Sequence, residues 1–521
     1  MRQAGVLLHI TSLYDNYGIG SLGKAATDFI DFLKSAGISV WQMLPVGPTG
    51  FGDSPYQSYS AFAGNPNIID LEKLIDDGLV SASDPDLTKL SNREFTNYDN
   101  LFAIKSKVLH RAYLKFIEEV PDDYENFCKG EAFWLDDYAL YMNIKYSHGM
   151  KMWTMWEDNL RKRDPEAIAE VIKADSENPT AEYSIGFWKF CQYIFFLQFA
   201  EMKRYAAKNR IKLVGDMPIY VSMDSSDIWA NPALFELDED LRPINVAGCP
   251  PDDFAKTGQL WGNPVYDWGE HLRTGYKWWI SRIISAGKFF DTIRIDHFRG
   301  FESFYAIPAG NDTAEEGTWK NGPGAKLFEV IEKYASDNGV KIPSFIAENL
   351  GFLTPHVQEM LAAVGYPGMN VLEFGFGGDD SIYLPHNFIA NSVSYIGTHD
   401  NDTALGWYSS QSKKTKKRVK RYIHKSDDET VSEALIRVLA ASPSDLVVFQ
   451  MQDLLGLGSE ARMNTPSTVG GTNWLWQMSK PGSPQKIAPA IHKLLGRYFR
   501  LPPVTKSTVK IIKKIVKEEI K

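Results

Sequence analysis

The nine residues Thr292–Gly300, Thr-Ile-Arg-Ile-Asp-His-Phe-Arg-Gly, place a cation two residues before an acid. On an extended strand that spacing puts Arg294 and Asp296 on one face and Ile293 and Ile295 on the other. An opposite charge at this range favours the ionised carboxylate, so Arg294 is expected to depress the pKa of Asp296. Two chemistries fit, a nucleophilic carboxylate or a structural ion pair, because ion-pair networks also perturb titration. The stretch alone leaves both open. Similar groups end other apolar runs: Asp216 after Lys212–Gly215, Glu348 after Ser344–Ala347, and His399 with Asp400 after Val393–Ile396. Taken singly, such an Asp more often caps a following helix, and a lone His more often makes a structural hydrogen bond. Together they point to a site.

The elements that must position them read as strands alternating with helices. Gly5–Ile10 reads as a strand, Ala25–Ala36 as an amphipathic helix closed by Gly37, and Val40–Leu44 as a second, parallel strand. Further strands are expected at Lys212–Gly215, Thr292–Ile295, Ser344–Ala347, Asn370–Phe374, Val393–Ile396 and Leu446–Gln450. Helices are expected at Phe187–Asn209, Glu270–Ser285, Ala325–Asn338 and Asp428–Ala441. This is the pattern of an α/β fold, a (β/α)8 TIM barrel, here one catalytic domain over residues 1–521. The excess length falls after the second and third strands: a mostly helical insertion at 70–183 and a loop-rich insertion at 222–268. An open doubly wound sheet is the alternative, but no Gly-x-Gly-x-x-Gly turn follows the first strand. In a barrel the strand-end groups meet at the C-terminal rim, where active sites are built.

Composition narrows the chemistry. A net charge of −9 argues against a nucleic-acid partner. Three scattered cysteines, with no His-x-x-x-His pair and no calcium-loop pattern, give no metal site, and no cofactor is expected. A P-loop and a Gly-x-Ser-x-Gly elbow are both missing. Paired carboxylates fit glycoside chemistry, in which one acid protonates the leaving oxygen and another attacks the anomeric carbon. Tyr56, Tyr59 and Trp261 in the rim loops offer flat faces for sugar rings. The apolar run Phe187–Ala200 is interrupted by Lys189, Gln192 and Gln198 and is too short to span a membrane. No signal peptide opens the chain, so a cytoplasmic protein is expected. The Lys-rich stretch Ser507–Lys521 reads as a helix packed outside the barrel.

Seven stretches carry a resemblance: Trp41–Asn65, Gly215–Val221 (GDMPIYV), Val246–Trp268, Arg294–Gly310, Ala347–Gly351 (AENLG), Gly397–Trp407 (GTHDNDTALGW) and Arg462–Trp474. With these the chain resembles the amylomaltases, the 4-α-glucanotransferases or disproportionating enzymes of the α-amylase superfamily. The resemblance implies that Asp296 is the nucleophile, Glu348 the general acid/base and Asp400 the third carboxylate, which distorts the sugar. It implies that Arg294 supports Asp296, and that His297, His399 and Asp216 contact sugar hydroxyls. Ser58, Tyr59, Trp261 and Asn464 complete the implied substrate contacts, and Val246–Trp268 would form a lid. Three positions depart from the family pattern: Asn349 for Asp, Cys249 for an aliphatic residue, and Ser467 for Gly. The implied reaction is retaining transfer of α-1,4-glucan segments between maltooligosaccharides, amylose, starch or glycogen-derived glucans, by a monomer or weak homo-oligomer. It calls for Asp296 and Glu348 roughly 5–5.5 Å apart, with burial behind Phe345-Ile346-Ala347 raising the pKa of Glu348. An α-amylase-type hydrolase and a non-catalytic glucan-binding protein remain the alternatives.

Overall fold

The computed structural model describes residues 2–91, 94–251, 255–351, 353–378, 380–478 and 482–503. The expected helix at 507–521 and part of the expected lid lie outside these residues. Eight parallel strands close into a barrel. They are β1 (Gln3–Leu7), β2 (Val40–Gln42), β3 (Lys212–Met217), β4 (Thr292–Ile295), β5 (Ser344–Ala347), β6 (Gly368–Val371), β7 (Ser392–Tyr395) and β8 (Leu446–Gln450). Sequential strands are neighbours, and β1 pairs with β8 to close the ring. Most of these strands are buried along nearly their whole length, as a parallel sheet under helices requires.

Register sets the site. Asp216 lies across from Arg294, and Ile295 lies across from Ala347. The residues one step beyond that last pair are Asp296 and Glu348, so strand pairing alone delivers two carboxylates side by side at the rim.

The connection from β2 to β3 contains the helices Asp122–Ser147 and Ile185–Lys208, the second capped by the Ser184 side chain on the Phe187 N–H. The glutamines that interrupt this otherwise apolar helix clamp the long loop after β2. Gln192 bonds both the N–H and the C=O of Gly64 (2.7 and 2.9 Å), and Gln198 does the same for Asp70 (2.7 and 3.1 Å). A buried loop backbone needs such partners. Gly64 itself has no room for a side chain, since a Cβ there would meet the Phe195 ring at 2.0 Å.

Two expectations are corrected. The single helix expected over Glu270–Ser285 is two, Trp268–Arg273 and Lys277–Phe289, parted where Gly275 and Tyr276 adopt positive φ. The loop-rich insertion at 222–268 is more ordered than its Gly and Pro content suggests, for it supplies two strands. Asn245–Cys249, Gln259–Pro264, Ser303–Pro308 and Thr318–Asn321 form a four-stranded antiparallel sheet beside the barrel mouth.

Candidate active site

At the rim, the Arg294 guanidinium is buried and shared between two acids. Its Nη1 lies 2.7 Å from Asp216 Oδ1 and 2.8 Å from Asp296 Oδ1. Glu348 Oε2 accepts the backbone N–H of His297 at 2.6 Å. That N–H points at Glu348 because His297 adopts φ 50° and ψ 46°, a left-handed conformation costly for a side-chain-bearing residue. Backbone strain of this kind persists where the surroundings enforce it, as at a site.

Asp400 is held from the other side of the opening. Asn464 Nδ2 donates to Asp400 Oδ1 at 2.7 Å, and His399 Nε2 lies 3.4 Å from Asp400 Oδ2. Arg462 donates to the Asp400 and Asn464 carbonyls, each at 2.7 Å, and so fixes both backbones. Tyr56 ties the two halves together. Its hydroxyl lies 2.9 Å from Asp216 Oδ2 and 2.8 Å from His399 Nε2, and its ring stacks on His399 with centroids 5.2 Å apart. Trp261 stands edge-on to the His297 ring at 4.8 Å.

The structure therefore brings together Asp216, Arg294, Asp296, His297, Glu348, His399, Asp400, Asn464 and Trp261. Ser58 shares a small cavity with Asp216 and Tyr56, while its hydroxyl donates to the Ser60 carbonyl at 2.9 Å. Tyr59 is placed differently: its ring lies under Lys145 Nζ (5.0 Å), toward the helical insertion. Tyr56, read from sequence only as an aromatic surface, is the tyrosine whose hydroxyl enters the carboxylate cluster. Both tyrosines sit in one loop three residues apart, and only the loop's path separates them. Arg462 escaped the sequence reading, although it opens one of the matching stretches.

Electrostatics corrects another expectation. Burial pushes the Asp296 carboxyl up to about 6, with Arg294 opposing this and Asp216 and Asp400 adding to it. Burial, then repulsion from Asp296, pushes Glu348 up to about 7. Arg294 thus limits the rise at Asp296 without reversing it, because Asp216 claims the same guanidinium. The Asp296 side chain keeps 29% exposure to the cleft, and water there tempers the desolvation, so Asp296 stays the stronger acid of the pair. Burial also drives His297 down to about 3, leaving it a neutral imidazole.

Of the departures from the family pattern, two have structural accounts. Asn349 Oδ1 accepts the Met369 N–H at 2.7 Å, a contact that needs only an oxygen. Ser467 adopts φ 62°, which explains a glycine elsewhere at this position and means the serine here is strained. Among the described residues no group of three or more His, Cys, Asp or Glu could hold a metal ion. Among them, too, no helix is long and apolar enough to cross a membrane.

A closed parallel barrel with an arginine-braced trio of acids at its C-terminal rim defines an enzyme of carboxylate-driven chemistry. Comparison makes this specific. Residues 8–482 match the family Glyco_hydro_77, described as 4-alpha-glucanotransferase, and the chain belongs to that family. A 4-alpha-glucanotransferase of Clostridium butyricum is 43% identical over 95% of this chain and 100% of its own. One from Streptococcus pneumoniae is 45% identical over 94% and 95%. The solved amylomaltase of Streptococcus agalactiae, in complex with acarbose, superposes with a TM-score of 0.91 at 39% identity, covering 96% of this chain and 100% of its own. The chain is accordingly an enzyme of the 4-alpha-glucanotransferase class.

Proposed function

We propose that Asp296, Glu348 and Asp400 carry retaining transfer of α-1,4-glucan segments. Asp296 attacks the anomeric carbon of a donor glucan while protonated Glu348 gives its proton to the departing 4-oxygen. A β-glycosyl ester on Asp296 results. The 4-hydroxyl of a second glucan then displaces Asp296, losing its proton to Glu348, and both acids return to their starting forms. Asp400, oriented by Asn464 and His399, hydrogen-bonds the sugar held between them. Asp216 and Tyr56 keep Arg294 and His399 in register, and Trp261 offers a ring to the next sugar.

The observation that carries this reading is the opposed environment of the two acids. Asp296 holds the Arg294 guanidinium at 2.8 Å, whereas burial and the Asp296 charge push Glu348 higher, so one is anionic where the other is still protonated. The substrates on this reading are maltooligosaccharides and longer glucans, the protein acts in the cytoplasm as a monomer or weak homo-oligomer, and it needs neither nucleic acid nor membrane. The test is incubation with maltotriose and separation of the products. Transfer yields glucose together with a ladder of longer maltodextrins. Only shorter sugars, with reducing ends rising in step, would instead make the enzyme a hydrolase.

A further inference from the structure

A cavity of about 470 Å³ is lined by none of the residues discussed above as catalytic. It lies between the helix Asp122–Ser147, the loop after β2, the segment 226–234 and the helix that precedes β4. Its size falls within the range of about 300–1,000 Å³ usual for small-molecule pockets.

One wall is aromatic. Phe133 leaves half its ring exposed (52%), a costly position for a phenyl group on a helix beside an open cavity. It stands edge-on to Phe62 (5.5 Å, 90°), which stacks on Trp134 (6.2 Å, 14°) and meets Trp278 edge-on (6.0 Å, 88°). The lining also includes the polar side chains of Asn231, Thr274 and Ser281. Asn231 is exposed and uses its amide nitrogen on the Asp227 carbonyl (3.2 Å), which leaves its side-chain oxygen turned to other work. The charges are balanced: Asp137 pairs with Arg163 at 2.5 Å and Glu270 with Arg273 at 2.6 Å, and the lining ammonium, Lys277, faces a wall that also holds Asp227. Such a wall has no surplus positive charge for a phosphate or a nucleotide. It suits a neutral ligand with one apolar face and a rim of hydroxyls.

We propose that this cavity is a second carbohydrate site, taking a neutral α-linked gluco-oligosaccharide with one ring against Phe133 and hydroxyls on Asn231 and Thr274. Ser60 and Phe62 of its lining belong to the same loop that carries Tyr56 into the cleft. Sugar bound here braces that loop from behind and holds a glucan close to the mouth that works on it.

The test is calorimetric titration of the full chain with sulfur-linked maltotetraose, whose thioglycosidic bonds resist transfer, so that binding is read without reference to the catalytic assignments. Two sites per chain are expected. Phe133→Ala should weaken one of them at least about tenfold, the loss expected when a buried ring contact worth ~1.4 kcal/mol or more is removed. Ala233→Trp, which adds a ring at an exposed position on the cavity wall, should abolish it, and this variant keeps the test valid if Phe133→Ala does not fold. A single site in the unmodified chain, or two sites surviving in Ala233→Trp, would overturn the proposal. Displacement of the sugar from this site by inorganic phosphate would overturn the neutral ligand class.

Discussion

Two groups of acids lie under the same barrel mouth and meet opposite fates. One is Asp216, Asp296, Glu348 and Asp400 around Arg294. The other is Glu373, Asp402 and Asp453, at the ends of β6, β7 and β8. Glu373 and Asp453 are buried at 7% and 2% exposure, and Glu373 Oε1 and Asp453 Oδ2 have no hydrogen-bond partner among the described residues. The cation in range, Arg462, spends its guanidinium on the carbonyls of Asp400 and Asn464. Burial therefore outweighs the Ala404 N–H at Asp453 and the Arg462 charge at Glu373, pushing Asp453 up to about 7 and Glu373 well above the ordinary carboxylate range. Burial thus favours the protonated form of Glu373 and Asp453, and Asp453 serves as a hydrogen-bonding strut: its Oδ1 accepts the Ala404 N–H at 2.7 Å. In the first group the same desolvation is checked by a guanidinium and by an opening to water. On the proposed reading, one arginine and one open face separate the nucleophile from a structural acid.

The sharpest way to break this contrast is to remove the proposed nucleophile. Asp296→Asn should lower transfer from maltotriose by on the order of 10⁴-fold with little change in thermal midpoint, whereas Asp453→Asn should leave the rate within about twofold. Next comes Glu348→Gln, expected to cost about 10²–10⁴-fold and to erase the alkaline limb of the pH profile. That profile follows from the two acids. Asp296 must be ionised and Glu348 protonated, so kcat/KM should fall below about 6 and above about 7. Arg294→Met should cost about 3–5 kcal/mol of stability, because two buried carboxylates lose their counter-ion. With their folded pKa values raised further, the deficit should grow as pH rises from 5 to 8, as urea midpoints across that range would register, and the acid limb of the activity should move upward.

Smaller is the effect of Tyr56→Phe, which deletes the hydroxyl between Asp216 and His399 and should cost about 1 kcal/mol in transition-state binding, a drop of several-fold in kcat/KM. For the sealed group the readout is stability. A folded pKa above the unfolded one means that stability is greatest below the ordinary value of 3.8 and declines as pH rises toward about 7. Asp453→Asn keeps an oxygen for Ala404 and puts a donor beside Glu373, so it should flatten that decline and gain about 1–3 kcal/mol at pH 8. An unchanged slope would mean that the sealed acids are ionised after all.

Much of this was legible in the chain itself. β4, β5 and β8 fall where their apolar alternation puts them, and the strand-end acids converge because a barrel allows nothing else. β6 lies earlier than expected because the apolar run Leu372–Gly377 winds into a 3-10 turn, a choice that hydrophobicity does not register. The rest depends on three-dimensional burial. Nothing in the spacing of Arg294 and Asp296 reveals that Asp216 shares the guanidinium. Nothing in Gly-Asp-Ser-Pro-Tyr-Gln-Ser-Tyr tells which tyrosine turns inward. The sealed acids Glu373 and Asp453 went unremarked because each reads as an ordinary polar residue after a strand.

The central claim is that Asp296, and none of its acidic neighbours, forms the bond to sugar. The direct measurement is to react the enzyme with a 5-fluoro-α-glucosyl fluoride, which forms the ester faster than it releases it, and to map the labelled peptide by mass spectrometry. The account predicts one glucosyl adduct, on Asp296, discharged when maltose is added. A label on Asp400 or Glu348, or turnover with no covalent adduct and inverted product, would contradict it.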